Sequence, residues 1–188
     1  RGALIGGDIV TALVGVETLR LNPGAKVLYN LICSRSVPAA IAAAGGIPVR
    51  SKVGHSFIKK TMRDENVPFG GEHSGHFYFK RNWFADSGMI ALMQCLNVFS
   101  RAAGPVSGVI APIDRRSRSG EINSPVADIP GKLAELQARY RDAAIDFLDG
   151  VTIQYPDWWM NVRGSNTEPL LRLNVEGDTR ALMERHRD

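Results

Sequence analysis

The chain has 188 residues, 44% hydrophobic and 22% charged, a composition that supports a packed core in one large or two small domains. No window approaches the roughly 18 uninterrupted apolar residues of a membrane helix, and the N-terminus RGALIGGDIV shows no secretory pattern. A net charge of +4 suits an anionic substrate and, without interleaved aromatic residues, argues against nucleic acid as a partner.

In chain order, Ile9, Leu13, Val16 and Leu19 recur at helical spacing and predict a helix from Asp8, as N-cap, to Leu21. KVLYNLIC predicts a buried strand, and it holds Cys33. With Cys95 far away and no CxxC pair, both cysteines read as small buried hydrophobes in a reducing compartment, hence a cytoplasmic chain. SVPAAIAAAGG predicts a short helix, IPVRSKV a second strand, and HSFIKKTMRDEN a helix with Phe57, Ile58 and Met62 on one face. FGGEHSGHFYFK passes from a glycine-rich loop into a strand of aromatic residues. DSGMIALMQCLNVFSRAAG follows as a helix capped by Asp86 and Ser87. This order predicts an α/β domain with a mixed sheet.

APIDRRSRSGEINSPVADIPG is rich in Pro, Gly and Ser and reads as the boundary to a second domain. Beyond it the helix KLAELQARYRDAA and the strands VTIQY, WWMNVR and LLRLNVE predict a smaller α+β domain with an antiparallel sheet. In the last strand Leu171, Leu173 and Val175 alternate with Arg172, Asn174 and Glu176, as in a sheet with one buried face. A closing helix from Asp178 covers that face.

Two constellations carry candidate chemistry. In GEHSGH, Glu72, Ser74 and His76 alternate, so an extended loop would point all three to one side. A carboxylate and a hydroxyl suit the reading of sugar hydroxyls, and an imidazole moves protons near neutral pH. A serine nucleophile elbow fails, because Glu72 and His76 stand where glycines are required. Zinc has no H-E-x-x-H frame and no third ligand nearby. A polar loop with satisfied histidines stays open as an alternative. Upstream, His55 opens a helix among Lys52, Lys59 and Lys60, either a cationic helix start or an anion-receiving face. In NVRGSNTEPLLRL, Arg163 offers a planar fork for phosphate oxygens. Gly164 frees the backbone, and Ser165, Asn166 and Thr167 offer short donors for an anion nest. An ordinary hairpin turn would look much the same.

Together, VGHSFIK, GGEHSGHFYF, SGEIN and NVRGSNTEPLLRLNVEG resemble the α-D-phosphohexomutases, most closely the bacterial phosphomannomutase/phosphoglucomutase branch, over essentially the whole chain. The resemblance implies four domains around one cleft. Residues 1–3 would be the tail of a metal-binding domain, 4–112 the sugar-reading third domain and 113–188 the phosphate-binding fourth. It implies sugar contacts from Glu72 and Ser74, acid/base roles for His76 and His55, and a phosphate grip by Arg163, Gly164, Ser165, Asn166 and Thr167. The implied reaction interconverts mannose 6-phosphate and mannose 1-phosphate through a phosphoserine and a hexose 1,6-bisphosphate, which also serves as activator.

The departures are large. The family's phosphoserine motif and its Mg²⁺-holding D-G-D-x-D-R loop are both absent from the sequence, so no metal ligand is expected on this chain. Arg35 alone stands where some relatives have a lysine. The expectation is a C-terminal half that binds hexose phosphate without turning it over. Its partners would be the N-terminal domains of the same enzyme, received on an exposed apolar surface. Phosphoglucomutase or bifunctional activity, a non-catalytic sugar-phosphate-binding module and an interaction domain are the alternatives.

Overall fold

Helix α1 (Gly7–Leu21) lies among the sheet and two helices of the first of two units, Arg1–Arg115 and Arg116–Asp188. The computed structural model describes residues 2, 4–165 and 168–188. Because α1 packs on α2 (Ser36–Ala43), α4 (Gly88–Arg101) and the sheet, it is buried almost all round. Val16, expected inside, is exposed, while Glu17 is buried. The Glu17 carboxylate is met by Arg20 at 3.2 Å and by Arg101 of α4, which tie the two helices together. Asp8 is the second helical residue and Gly6 takes the N-cap position, so the expected Asp8 cap does not form.

The sheet orders its strands β2 (Ile47–Ser51), β1 (Lys26–Asn30), β3 (Phe69–Gly71), β4 (Phe77–Phe79) and β5 (Ala85–Asp86). The first three run parallel, and β4 and β5 are antiparallel additions, so the sheet is mixed as predicted. Strand alternation divides the core. Val27, Phe69, Phe77 and Phe79 face α1, α2 and α4, whereas Leu28 and Tyr78 meet Ile58 and Met62 of α3 (His55–Asp64). Phe57, expected beside them, is half exposed under Lys52, 5.6 Å from its ring. Ser87 accepts the Ile90 N–H and caps α4, whose Met89, Leu92, Met93 and Leu96 form an exposed apolar stripe at helical spacing. A short helix α5 (Val106–Ile110) follows.

The second unit is an antiparallel sheet of β6 (Ser117–Pro125), β10 (Leu170–Gly177), β9 (Trp158–Gly164), β8 (Val151–Gln154) and β7 (Ala144–Asp146), in that order. Val151, Ile153, Met160, Val162, Leu171 and Val175 make its core. Helix α6 (Ile129–Arg139), capped by Asp128, packs there through Leu133 and Leu136, and α7 (Arg180–Arg187), capped by Thr179, through Met183. The other face is not solvated as expected. Asn161, Arg163, Asn174 and Glu176 are buried, and Trp159 donates its indole N–H to Glu176 at 2.9 Å.

Candidate functional site

In the first unit the hairpin joining β3 to β4 turns within residues 72–76. The Glu72 N–H reaches the His76 carbonyl at 2.9 Å and the Gly75 N–H reaches the Glu72 carbonyl at 3.1 Å. Gly75 has φ +88°, a left-handed value that a side chain would resist. The tight turn overrides the expected alternation, so Glu72 does not share a side with Ser74 and His76. Its carboxylate is buried and accepts the Tyr78 hydroxyl at 2.6 Å and the Asn30 amide at 3.2 Å. Burial, and next the bond to Glu72, push the Tyr78 phenol far above its ordinary value, which keeps it a proton-bearing donor.

Ser74 and His76 are exposed at the tip. His76 Nδ1 stands 2.7 Å from Asp86 Oδ2, while Asp86 Oδ1 accepts the Phe77 N–H at 2.7 Å. A carboxylate fixed at both oxygens holds the ring by Nδ1–H and leaves Nε2 available as a proton acceptor in the neutral imidazole. Asp86 is a functional candidate that the sequence reading missed by treating it as a helix cap. Pairing of Tyr78 with Asp86 across β4 and β5 brings it beside His76, and nothing in the linear spacing announces that register.

Beneath the turn, Asn30 Oδ1 accepts the His73 N–H at 3.3 Å and Cys33 Sγ stands 3.1 Å from the same oxygen. Burial, and next Asp8, raise the Cys33 thiol well above its usual range, so it is an inert structural group. Asp8, buried, accepts the Ser34 N–H at 3.3 Å and lies 3.8 Å from His73 Nδ1. Gly7 supports the turn from below, where an added Cβ would stand 2.6 Å from the His73 carbonyl oxygen. His55 is exposed at the start of α3, which follows the carboxyl end of β2. Open α/β sheets place ligand sites at the carboxyl ends of their strands.

In the second unit one carboxylate holds two arginines. Glu121 of β6 meets Arg163 Nη2 and Arg172 Nη1, each at 2.9 Å, and Arg172 Nη2 reaches Ser165 Oγ at 3.3 Å. Arg163, on β9, is buried; Gly164 simply continues that strand. The Ser165 N–H is donated to the Leu170 carbonyl at 2.8 Å, so it is not turned toward an anion nest. Asn166 and Thr167 lie outside the described residues. Arg172 and Glu121 were not singled out in the sequence, although SGEIN carries the latter.

The carboxylates at these loops are committed: Glu72 to Tyr78 and Asn30, Asp86 to His76 and Phe77, Glu121 to the arginines. Among the described residues no group of three His, Cys, Asp or Glu side chains could hold a metal ion. This donor set does not fit the Mg²⁺ that the resemblance implies. Among the described residues, too, no helix is long and apolar enough to cross a membrane.

Comparison with known proteins agrees with both units. Residues 6–115 match the phosphoglucomutase/phosphomannomutase alpha/beta/alpha domain III, and residues 121–188 match the C-terminal domain of the same family. The chain is 39% identical over 184 residues to a phosphomannomutase from Methanocaldococcus jannaschii, covering 98% of this chain and 41% of that protein. It is 34% identical over 189 residues to a phosphomannomutase/phosphoglucomutase from Pseudomonas syringae, covering 98% of this chain and 41% of that one. A crystal structure of a phosphoglucomutase/phosphomannomutase family protein from Burkholderia thailandensis superposes with a TM-score of 0.86 at 31% identity, over 100% of this chain and 41% of that chain. The chain therefore spans about two fifths of the length of the relatives it matches.

Proposed function

Because the chain belongs to the phosphoglucomutase/phosphomannomutase family, we propose that it supplies the sugar-reading and phosphate-reading parts of a cytoplasmic phosphohexomutase that interconverts mannose 6-phosphate and mannose 1-phosphate. The observation that carries this reading is the His76–Asp86 pair on a turn anchored by the buried Glu72. A sugar hydroxyl oxygen attacks the phosphorus of a phosphoserine as the serine Oγ–phosphorus bond breaks. The bonding pair leaves on the serine oxygen, which takes up a proton from solvent, and the sugar hydroxyl proton passes to His76 Nε2. Hexose 1,6-bisphosphate is the intermediate and activator. Positioning and electrostatics supply most of the acceleration in such transfers.

Ser74 reads the sugar hydroxyls from a turn that the buried Glu72 holds in place, and His55 serves as an accessory donor. Arg163, Gly164, Ser165, Asn166 and Thr167 take the non-reacting phosphate. The phosphoserine and the Mg²⁺ loop come from N-terminal domains of the same enzyme. The exposed stripe Met89, Leu92, Met93 and Leu96 supports such a partner. Glucose and mannose share the hydroxyls within reach of this chemistry, and the bifunctional name of the Pseudomonas relative favours a second reading with glucose phosphates. A non-catalytic sugar-phosphate module is the reading from another class.

The test is steady-state kinetics of the intact mutase carrying His76→Ala, with mannose 1-phosphate and glucose 1-phosphate. The proposal expects kcat to fall by roughly 100-fold or more with a much smaller change in KM. Unchanged kinetics would remove His76 from the mechanism.

A further inference from the structure

At the other end of the first unit, where β1 and β3 begin and β4 ends, lies a cavity of about 510 Å³. Its polar lining includes Asn22, Asn66, Asn82, Gln94, Lys80 and Arg81 beside Thr18, with no carboxylate. Lys80 and Arg81 are exposed and form no ion pair among the described residues. Asn22 spends its amide N–H on the Thr18 carbonyl at 2.9 Å, and Asn82 directs its own to the Ala85 carbonyl at 3.5 Å. Their amide oxygens keep acceptor capacity.

Gln94 adds the decisive feature. Its Oε1 is buried without a hydrogen-bond partner, a state that costs free energy until a donor arrives. Leu21, Phe79 and Ile90 complete the wall with apolar surface. Two cations facing no protein anion call for a phosphate or similar group. Several unspent amide acceptors call for hydroxyl donors, and the apolar wall suits the face of a ring. The volume accommodates a small molecule of that kind.

We propose that this cavity is a second binding site, for a small phosphate ester of a hydroxylated ring, distinct from the turn at residues 72–76. The same cavity touches both elements that fix the acid/base pair. Phe79 ends the strand that leads from His76, and Ile90 and Gln94 lie on the helix that begins just after Asp86. An occupant therefore bears on the strand and helix that set the position of His76.

The experiment is a titration of the ¹⁵N-labelled 188-residue chain with inorganic phosphate, glucose 6-phosphate and adenosine monophosphate, read at the side-chain amides of Asn82 and Gln94. At least one ester should shift these resonances saturably and bind more tightly than inorganic phosphate; the stronger of the two tells a sugar ester from a nucleotide. Substituting Lys80→Ala and Arg81→Ala together, at exposed positions that leave the core intact, should weaken that binding by about tenfold or more, while Ser74 responds as before. Gln94→Leu should weaken the ester and leave inorganic phosphate unchanged. Absence of saturable shifts at these amides with all three probes, or shifts that survive the double substitution, overturns the proposal.

Discussion

Asp86 holds His76 through a 2.7 Å contact at Nδ1, and the same carboxylate accepts the Phe77 backbone N–H, so the ring is oriented by a group that is itself fixed. Asp86→Asn keeps an acceptor for Phe77 and removes the charge that faces the imidazole. In the intact mutase kcat is expected to fall by about 100-fold with little change in KM. Steady-state kinetics on both sugar phosphates checks this, and a loss confined to KM would make Asp86 a binding residue only.

Gly7→Ala should destabilise the first unit although alanine favours helices. The new Cβ would lie 2.6 Å from the His73 carbonyl oxygen and 2.7 Å from the Gly75 nitrogen, backbone atoms that cannot rotate away. A loss of about 1–3 kcal/mol is expected in urea denaturation. Shifted amide resonances through residues 72–76 should accompany it.

Glu121→Gln removes the charge that both Arg163 and Arg172 face. Arg163 is buried, so its guanidinium is left without a compensating carboxylate, and the second unit should lose about 3 kcal/mol. Thermal denaturation of the variant measures the loss. Arg172 loses the same carboxylate, so the guanidinium that reaches Ser165 Oγ is no longer held and affinity for the phosphate end of the substrate should fall.

His186 stacks on Trp158 with ring centroids 3.5 Å apart and planes 9° from parallel. Burial first, and Arg185 next, lower its pKa below the ordinary 6.5. The unfolded chain then binds the proton more readily than the folded one. The stabilisation is complete above the ordinary value and is lost as pH falls through the folded pKa. Melting temperature measured against pH should decline over that range, and His186→Phe should flatten this part of the profile.

The layers of the fold were legible because apolar spacing is local. Ile58 and Met62 marked the inner face of α3, and GMIALMQ with Ser87 before it marked a capped helix. The strand Ser117–Pro125 lies in the stretch that the sequence presents as a domain boundary, with no strand expected there. Its residues are polar because they serve ion pairs, such as Glu121 to two arginines, and polar strands lack the apolar alternation that betrays a sheet. The site was half legible for a similar reason. GEHSGH announces its residue types, but the burial of Glu72 depends on Tyr78 and Asn30, and the orientation of His76 on Asp86. Those partnerships are set by strand register and a five-residue turn, neither of which has a local pattern.

The most direct measurement is ³¹P and ¹H–¹⁵N NMR on the 188-residue chain with mannose 1-phosphate and Mg²⁺. Saturable shifts at Ser74, His76 and Ser165, with no mannose 6-phosphate formed, are the predicted result. Mannose 6-phosphate appearing would contradict the assignment of phosphoryl transfer to a phosphoserine outside this chain, and silence at all three residues would contradict substrate reading by these loops.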